Sequence, residues 1–263
     1  MRIERYYPLQ IPYLLNEEFQ EHILYKEHRM QDINECCMCI WEMRSRDCSD
    51  KTIYNYILPD ACIDIVMDFS NKTICFAAFS KETIPFELNQ KTDYMGARLR
   101  PGAFYSLFGI SAEKIMDRQI EFSEIENSCD LSGIFALSET GERLSIIKKY
   151  LSEKMKSISD TKFLELTETL YKNPSDKSVS EISNLIHCND RQLYRLFKTN
   201  YGISPKVMLN ILRLHLCLTL VLTQSAEFSD VVYMCGFYDQ SHFIKEVKRY
   251  TGFSPLKLLE ACR

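Results

Sequence analysis

The sequence predicts an α+β chain in which a β-rich barrel or sandwich (1–111) leads through a helical connector (112–172) to an all-α segment with two helix-turn-helix units (173–263). Three observations predict it. Short runs rich in β-branched, aromatic and Cys residues crowd the stretch from 33 to 100, separated by Asp, Ser, Asn or Lys. From about residue 112 the apolar spacing becomes that of a helix. The last third of the chain contains an internal repeat with a period of 50 residues.

The chain opens with MRIERYYPLQIPYLL, too polar and charged for a secretory signal, and no apolar run approaches the ~20 residues of a membrane span. A cytoplasmic protein without membrane contact is expected. Its eleven cysteines then read as reduced, buried thiols. The expected strands are CCMCIWEM, TIYNYIL, CIDIVMDF, TICFAAF and DYMGARLR. Alternation puts Cys37 and Cys39 on one strand face and Cys36 on the other, so Cys37, Cys39 and Cys48 are the candidate metal or redox thiols. A zinc site would need a second cysteine pair that the sequence lacks, and inert burial is the competing reading. Trp41, Tyr54, Tyr56, Phe69, Phe76 and Phe79 could line a barrel mouth or simply fill the core. Arg98 and Arg100 could hold an anionic effector, or they could form a salt bridge with Asp60 or Asp64. The ligand-site candidates are therefore Trp41, Tyr56, Arg98 and Arg100.

Leu144, Ile147 and Leu151 set the apolar stripe of a connector helix, and TKFLELTETLYKN repeats the habit. KNPSDKS, 172–178, has no periodicity and reads as a boundary. Beyond it FKTNYGISPKVML (197–209) aligns with VKRYTGFSPLKLL (247–259): Lys198 with Lys248, Gly202 with Gly252, Ser204 with Ser254, Pro205 with Pro255 and Leu209 with Leu259. Each copy reads helix, short turn, second helix and a Gly-x-Ser-Pro stop, the pattern of a helix-turn-helix. Between the copies lies SPKVMLNILRLHLCLTLVLTQ, one long apolar helix.

The second helix of each copy has a buried stripe and a polar, cationic face. In the first, Asn189 or Asp190 caps a helix that buries Leu193, Leu196 and Phe197 and turns Arg191, Gln192, Tyr194, Arg195 and Lys198 outward. In the second, Asp239 caps a helix that buries Phe243, Val247 and Tyr250 and shows Gln240, Ser241, His242, Lys245 and Arg249. Arginine suits the O6/N7 edge of guanine and glutamine suits adenine, while Lys248 and Arg249 suit phosphates. Charge supports this modestly. The chain carries −4 overall, but residues 174–263 carry +3 and residues 1–173 carry −7.

Residues 178–260 resemble the DNA-binding domain of AraC/XylS-type transcription regulators. The resemblance rests on the FK-x3-G-x-SP segment at 197–205 and on GF-x-DQSHF at 236–243. The second copy departs from the family at Val247, where phenylalanine is preferred, and places Glu246 on its recognition helix. LPDACIDIVMDF (58–69) and GARLRPGAFYSLFG (96–109) resemble the β-rich module that accompanies this domain in one subset of these regulators. The resemblance implies a cupin-like sensor or dimerisation module, double-stranded DNA as partner, RNA polymerase and a second copy of the chain as further partners, and an unnamed small-molecule effector. The alternative is a helix-turn-helix scaffold that binds proteins rather than DNA.

An enzyme is not expected and no cofactor is implied. A cupin metal centre needs converging imidazoles, and residues 1–173 offer only His22 and His28, both outside the expected strands. There is no Gly-rich phosphate loop or nucleophile elbow, and nothing singles out one cysteine as the nucleophile of a repair enzyme.

Overall fold

The computed structural model describes residues 5–10, 17–46, 52–158, 160–172, 174, 177–223, 232–237 and 239–260. A short helix α1 (Glu17–His22) leads into a six-stranded antiparallel sheet. Its order is β1 (Ile23–His28), β2 (Cys37–Ser45), β7 (Asp93–Leu99), β4 (Ile63–Asp68), β5 (Thr73–Ala78) and β8 (Gln119–Glu121). β3 (Ile53–Ile57) and β6 (Ile84–Leu88) form a separate two-stranded ribbon. The sheet keeps two edges and does not close, and the ribbon packs across one face, so the module is a sandwich rather than a barrel.

Side-chain alternation divides the large sheet between two surroundings. Ile63, Ile65 and Met67 of β4 are buried, while Asp64, Val66 and Asp68 between them face the other way. The first set joins Phe76, Met95, Ala97 and Leu99 in a core covered by α2 (Ala103–Phe108), α3 (Phe122–Ile125) and α4 (Thr140–Met155). Phe76 stacks on Phe122 with centroids 5.3 Å from Phe104 and 5.4 Å from Phe122. On the opposite face Trp41, Met43, Val66 and Tyr94 meet Ile53, Phe86 and Leu88 of the ribbon. Gly96 makes this layer possible. A Cβ there would come within 2.2 Å of the Trp41 ring, which lies flat over the strand.

α4 is tied down by Glu126. Burial alone would raise its pKa, but the ion pair with Lys154 and hydrogen bonds from Ser128 and Tyr150 together hold the carboxyl down to about 2.

The C-terminal part is all helix: α5 (Lys162–Lys172), α6 (Val179–Leu185), α7 (Asp190–Tyr201), α8 (Pro205–Thr223), α9 (Gln240–Thr251) and α10 (Pro255–Glu260). Residues 232–234 are also helical. α8, 19 residues long, spans ~28 Å at 1.5 Å per residue. Met208, Leu209, Ile211, Leu212, Leu214, Leu216, Cys217 and Leu218 of α8 are all buried. Their core is shared with the N-terminal module, because Tyr6, Met38, Leu58, Cys62 and Phe79 belong to the same apolar cluster.

Several expectations change. β1, β6 and β8 were not expected as strands, and α2 was not expected within 1–111. ILYKEH carries no turn signal of its own, IPFEL contains Pro85 and survives only in a two-stranded ribbon, and QIE is three residues long. His28 lies at the end of β1 rather than outside the strands, with Nε2 2.8 Å from Glu42 Oε1. A register shift between Cys37 and Cys39 breaks the alternation expected there. Cys36 and Cys37 fall into the core beneath the helices, and Cys39 falls into the opposite layer with Trp41. No single helix among the described residues is long and apolar enough to cross a membrane; α7 and α8 pass together by composition but are bent by 57°.

Candidate nucleic-acid interface and the cavity behind it

The first helix-turn-helix is assembled by local chemistry. Ser178 caps α6 and Glu181 returns the bond, a capping box; Asn189 and Gln192 do the same for α7. Between them the chain turns at His187, whose φ is +56°, and Cys188 N–H donates to Ser183 O at 2.9 Å. α7 ends at Gly202, φ +74°, whose N–H reaches Lys198 O at 3.0 Å. The cap and the glycine stop of the second helix recur one period later, and the start of the second unit, residues 224–231, lies outside the described residues. Asp239 Oδ1 accepts from His242 N–H at 2.6 Å, and Gly252, φ +75°, closes on Lys248 O at 2.9 Å.

Packing fixes which faces remain open. Leu193 and Phe197 of α7 are buried, as are Phe243, Val247 and Tyr250 of α9. Leu196, expected in the same stripe, is half-buried. Arg191, Gln192, Tyr194 and Arg195 are exposed on α7, and Gln240, Ser241, His242, Lys245, Lys248 and Arg249 on α9. Gln192 spends its side-chain oxygen on the cap, accepting from Asn189 N–H at 3.1 Å. Lys198 is different from its neighbours. Its side chain is 19% exposed and Nζ lies 3.0 Å from Glu113 Oε1 of the N-terminal module.

Glu246, an acid on a cationic helix, turns inward. It is half-buried, accepts from Asn210 Nδ2 of α8 at 3.4 Å and pairs with Arg249 at 3.7 Å. The carboxylate thus lies mostly inside the helix packing, with Arg249 of the exposed side beside it.

The N-terminal module grips both units. α7 packs on α2 and on the 3₁₀ turn Ala112–Lys114. At the second unit, Thr83 N–H donates to Tyr250 O at 3.2 Å, and Tyr56 meets Phe253 edge-on with centroids 5.6 Å apart. His215 of α8 sits in the shared core. Its Nε2–H donates to Pro59 O at 2.8 Å, and Nδ1 accepts from Leu9 N–H at 3.2 Å, which fixes one neutral tautomer. Burial, opposed by the Pro59 bond and aided by Arg98, lowers its pKa to about 4.

Between the large sheet and the β3–β6 ribbon lies a cavity of about 450 Å³. Trp41 lines it, with Nε1–H donating to Asp64 Oδ2 at 2.9 Å. Arg98 also lines it, 3.4 Å from Asp64 and 3.9 Å from Asp60. Phe79 belongs to its wall, whereas Phe76 is buried on the far side of the sheet and Phe69 packs on Phe135. Tyr54 is exposed, and Tyr56 lies on the opposite face of the ribbon from Asn55 and Ile57 of the wall. Arg100 is elsewhere: Nη1 binds Glu168 at 2.9 Å, and Nε and Nη2 bind Asn34 O and Oδ1 at 2.6 and 2.7 Å. Burial pushes the Cys36 thiol up to about 12 and Cys39 to about 11, and no group of three potential metal ligands occurs among the described residues. Cys48 lies outside the described residues.

TIYNYIL was expected as a strand; its pairing with β6 into a separate ribbon is what sequence reasoning missed. Its inner face (Asn55, Ile57, Ile84, Phe86) walls the cavity, and its outer face and preceding loop (Tyr56, Thr83) touch the second helix-turn-helix.

Comparisons with known proteins address each part separately. Residues 182–261 match a family described as a helix-turn-helix domain, and residues 30–121 match a domain of unknown function (DUF6597). The "Probable transcriptional regulator LumQ" of Photobacterium leiognathi is 35% identical over 80 residues, 30% of this chain and 32% of that one. The HTH-type transcriptional activator RhaS of Escherichia coli is 37% identical over 65 residues, 25% of this chain and 23% of its own. The matched segment thus spans a third or less of these relatives. Among solved structures, an AraC-type regulator from Chromobacterium violaceum aligns over 36% of this chain and 85% of its own at 24% identity and TM-score 0.34. ToxT from Vibrio cholerae aligns over 91% of this chain and 98% of its own at 12% identity and TM-score 0.45. With its paired capped helices, its matched glycine stops and its family match, the C-terminal third of the chain is a helix-turn-helix domain of the family matched at residues 182–261.

Proposed function

We propose that the chain is a sequence-specific transcription regulator that acts by binding double-stranded DNA in the cytoplasm, not by catalysis. The observation that carries this reading is the pair of capped helices, α7 and α9, whose open faces present Arg191, Arg195, Lys245 and Arg249 while their apolar stripes are sealed in the core. In this reading Arg191, Gln192, Tyr194, Arg195 and Lys198 read one major-groove segment, and Gln240, Ser241, His242, Lys245 and Arg249 read the next. Residues 1–111 form the sensor, 112–172 the connector and 173–263 the DNA-binding part.

Control works by population shift. A small molecule in the sandwich cavity bears on the inner face of the β3–β6 ribbon, and the outer face transmits the change to the second unit through Tyr56 and Thr83. RNA polymerase and a second copy of the chain are the protein partners that regulation at a promoter implies. The test is selection of bound DNA from a random pool by the whole chain, followed by a salt titration on the recovered site. A recovered consensus with a steep fall in affinity as salt rises supports the reading. Recovery of no consensus, or binding indifferent to salt, rejects it.

A further inference from the structure

The cavity wall is specific about charge. Arg98 is its one buried cation among the described residues, and three carboxylates surround it: Asp64 at 3.4 Å, Asp60 at 3.9 Å and Glu27 at 4.0 Å. At the mouth Asp117 and Arg118 offset each other, and Asp68 is occupied by the β4–β5 turn, accepting from Ser70 and Asn71. Inside, negative charge exceeds positive. Burial raises the pKa of both Asp60 and Asp64, with Arg98 opposing it. Arg98 Nη1 is buried with no hydrogen-bond acceptor.

The remaining wall mixes apolar and aromatic side chains with the neutral polar groups of Gln10, Asn55, Thr73, Ser80 and Gln119. Trp41, Tyr25, Tyr94 and Phe86 line it, and aromatic rings attract cations as well as apolar groups. The volume, about 450 Å³, suits a small organic molecule. An anionic ligand would have to approach a guanidinium already outnumbered by carboxylates.

We propose that the cavity binds a small organic cation, an amine on an apolar or aromatic body, with the ammonium placed toward Asp60 and Asp64. This deepens the regulator reading and rests on it for any consequence at DNA. Arg98 Nη1 offers its unused proton to a neutral oxygen on the same ligand.

Trp41 is the only tryptophan in the chain and lies in the wall, so its fluorescence reports occupancy directly. The probes are 4-phenylbutylamine, 4-phenylbutanol and 4-phenylbutyrate, which share a skeleton and differ in charge. With the whole chain, the amine is expected to change Trp41 emission saturably at a concentration at least tenfold below the other two. Asp64→Asn is expected to erase that advantage. Because this variant removes a buried partner of Arg98, Ala77→Phe provides a second test that fills the cavity without touching a charge, and it is expected to abolish the amine response. The proposal is overturned if the butyrate or alcohol binds as tightly as the amine, if the amine leaves Trp41 unchanged, or if Ala77→Phe leaves the response intact. DNA selection on the same protein separates the two ideas. Charge-blind binding with DNA recognition intact ends this proposal alone, and amine binding without DNA recognition ends the regulator reading alone.

Discussion

Lys198 of the first recognition helix lies 3.0 Å from Glu113 in the turn after α2. A half-buried cation of a helix proposed to read DNA is thus held by an acid of the other half of the chain. Glu113 is half-exposed, so the pair itself contributes little to stability, under ~1 kcal/mol. Its effect should appear at DNA. Glu113→Gln is expected to free Lys198 for one more phosphate, steepening the slope of log affinity against log salt by ~0.9. An unchanged slope in an affinity titration across salt concentrations would show that Lys198 does not meet phosphate.

Base-reading contacts should behave differently. Arg195→Ala and Lys245→Ala each remove an exposed side chain, so helicity by circular dichroism should not change. Each is expected to weaken binding to the selected site by roughly 1–3 kcal/mol. Arg195→Ala should also relax base preference at one position. Affinity equal to that of the unmodified chain would remove these residues from the interface.

The two glycine stops allow a controlled comparison. Gly202 and Gly252 have nearly the same left-handed φ, so alanine carries a similar backbone penalty of ~1 kcal/mol at either. At Gly252 a Cβ meets nothing within 4 Å, whereas at Gly202 it comes within 2.6 Å of Met116 and 3.2 Å of Ala112 O. Denaturant unfolding should show Gly202→Ala to be the more damaging by ~1 kcal/mol or more. Equal losses would mean that α7 does not press on the turn carrying Glu113.

His215 gives a pH signature. Its pKa in the folded chain, about 4, lies below the ordinary histidine value of 6.5, so the unfolded chain takes up the proton first. The stability contributed by the neutral ring is complete above pH 6.5 and falls as pH drops toward 4, by at most ~1.4 kcal/mol per pH unit. Protonation would set Nδ1–H against Leu9 N–H. The stability difference between the unmodified chain and His215→Gln should therefore shrink over that interval. A difference constant with pH would place a charged histidine in the core.

Much of the C-terminal domain was legible because its determinants are local. Asn189 and Asp239 cap, Gly202 and Gly252 stop, and Phe243, Val247 and Tyr250 mark the buried stripe within a few residues of one another. The N-terminal module was legible as strands but not as layers. Its long-range pairings hide β1, β6 and β8, and the irregularity between Cys37 and Cys39 reverses a face assignment that alternation alone would make. Glu246 could not be placed from its own helix, since its orientation depends on Asn210, 36 positions away. Arg98 and Arg100 were both read as possible partners of Asp60 or Asp64; Arg98 is found beside both, Arg100 binds Glu168 instead, and only the three-dimensional arrangement reveals the surplus of carboxylates around Arg98.

Tyr6 lies against Tyr171 and His215 at centroid distances of 4.9 and 5.8 Å, so residues from near one end of the chain help to seal helices near the other. A DNA reader of this kind is not a detachable cassette. Cutting it away would strip the cover from α5 and α8 and leave a greasy flank, so an excised fragment should clump unless that flank is made polar. Recombination that paired this reader with a foreign sensor would need a matching seam as well as a matching ligand, which ties the two halves to a shared evolutionary path.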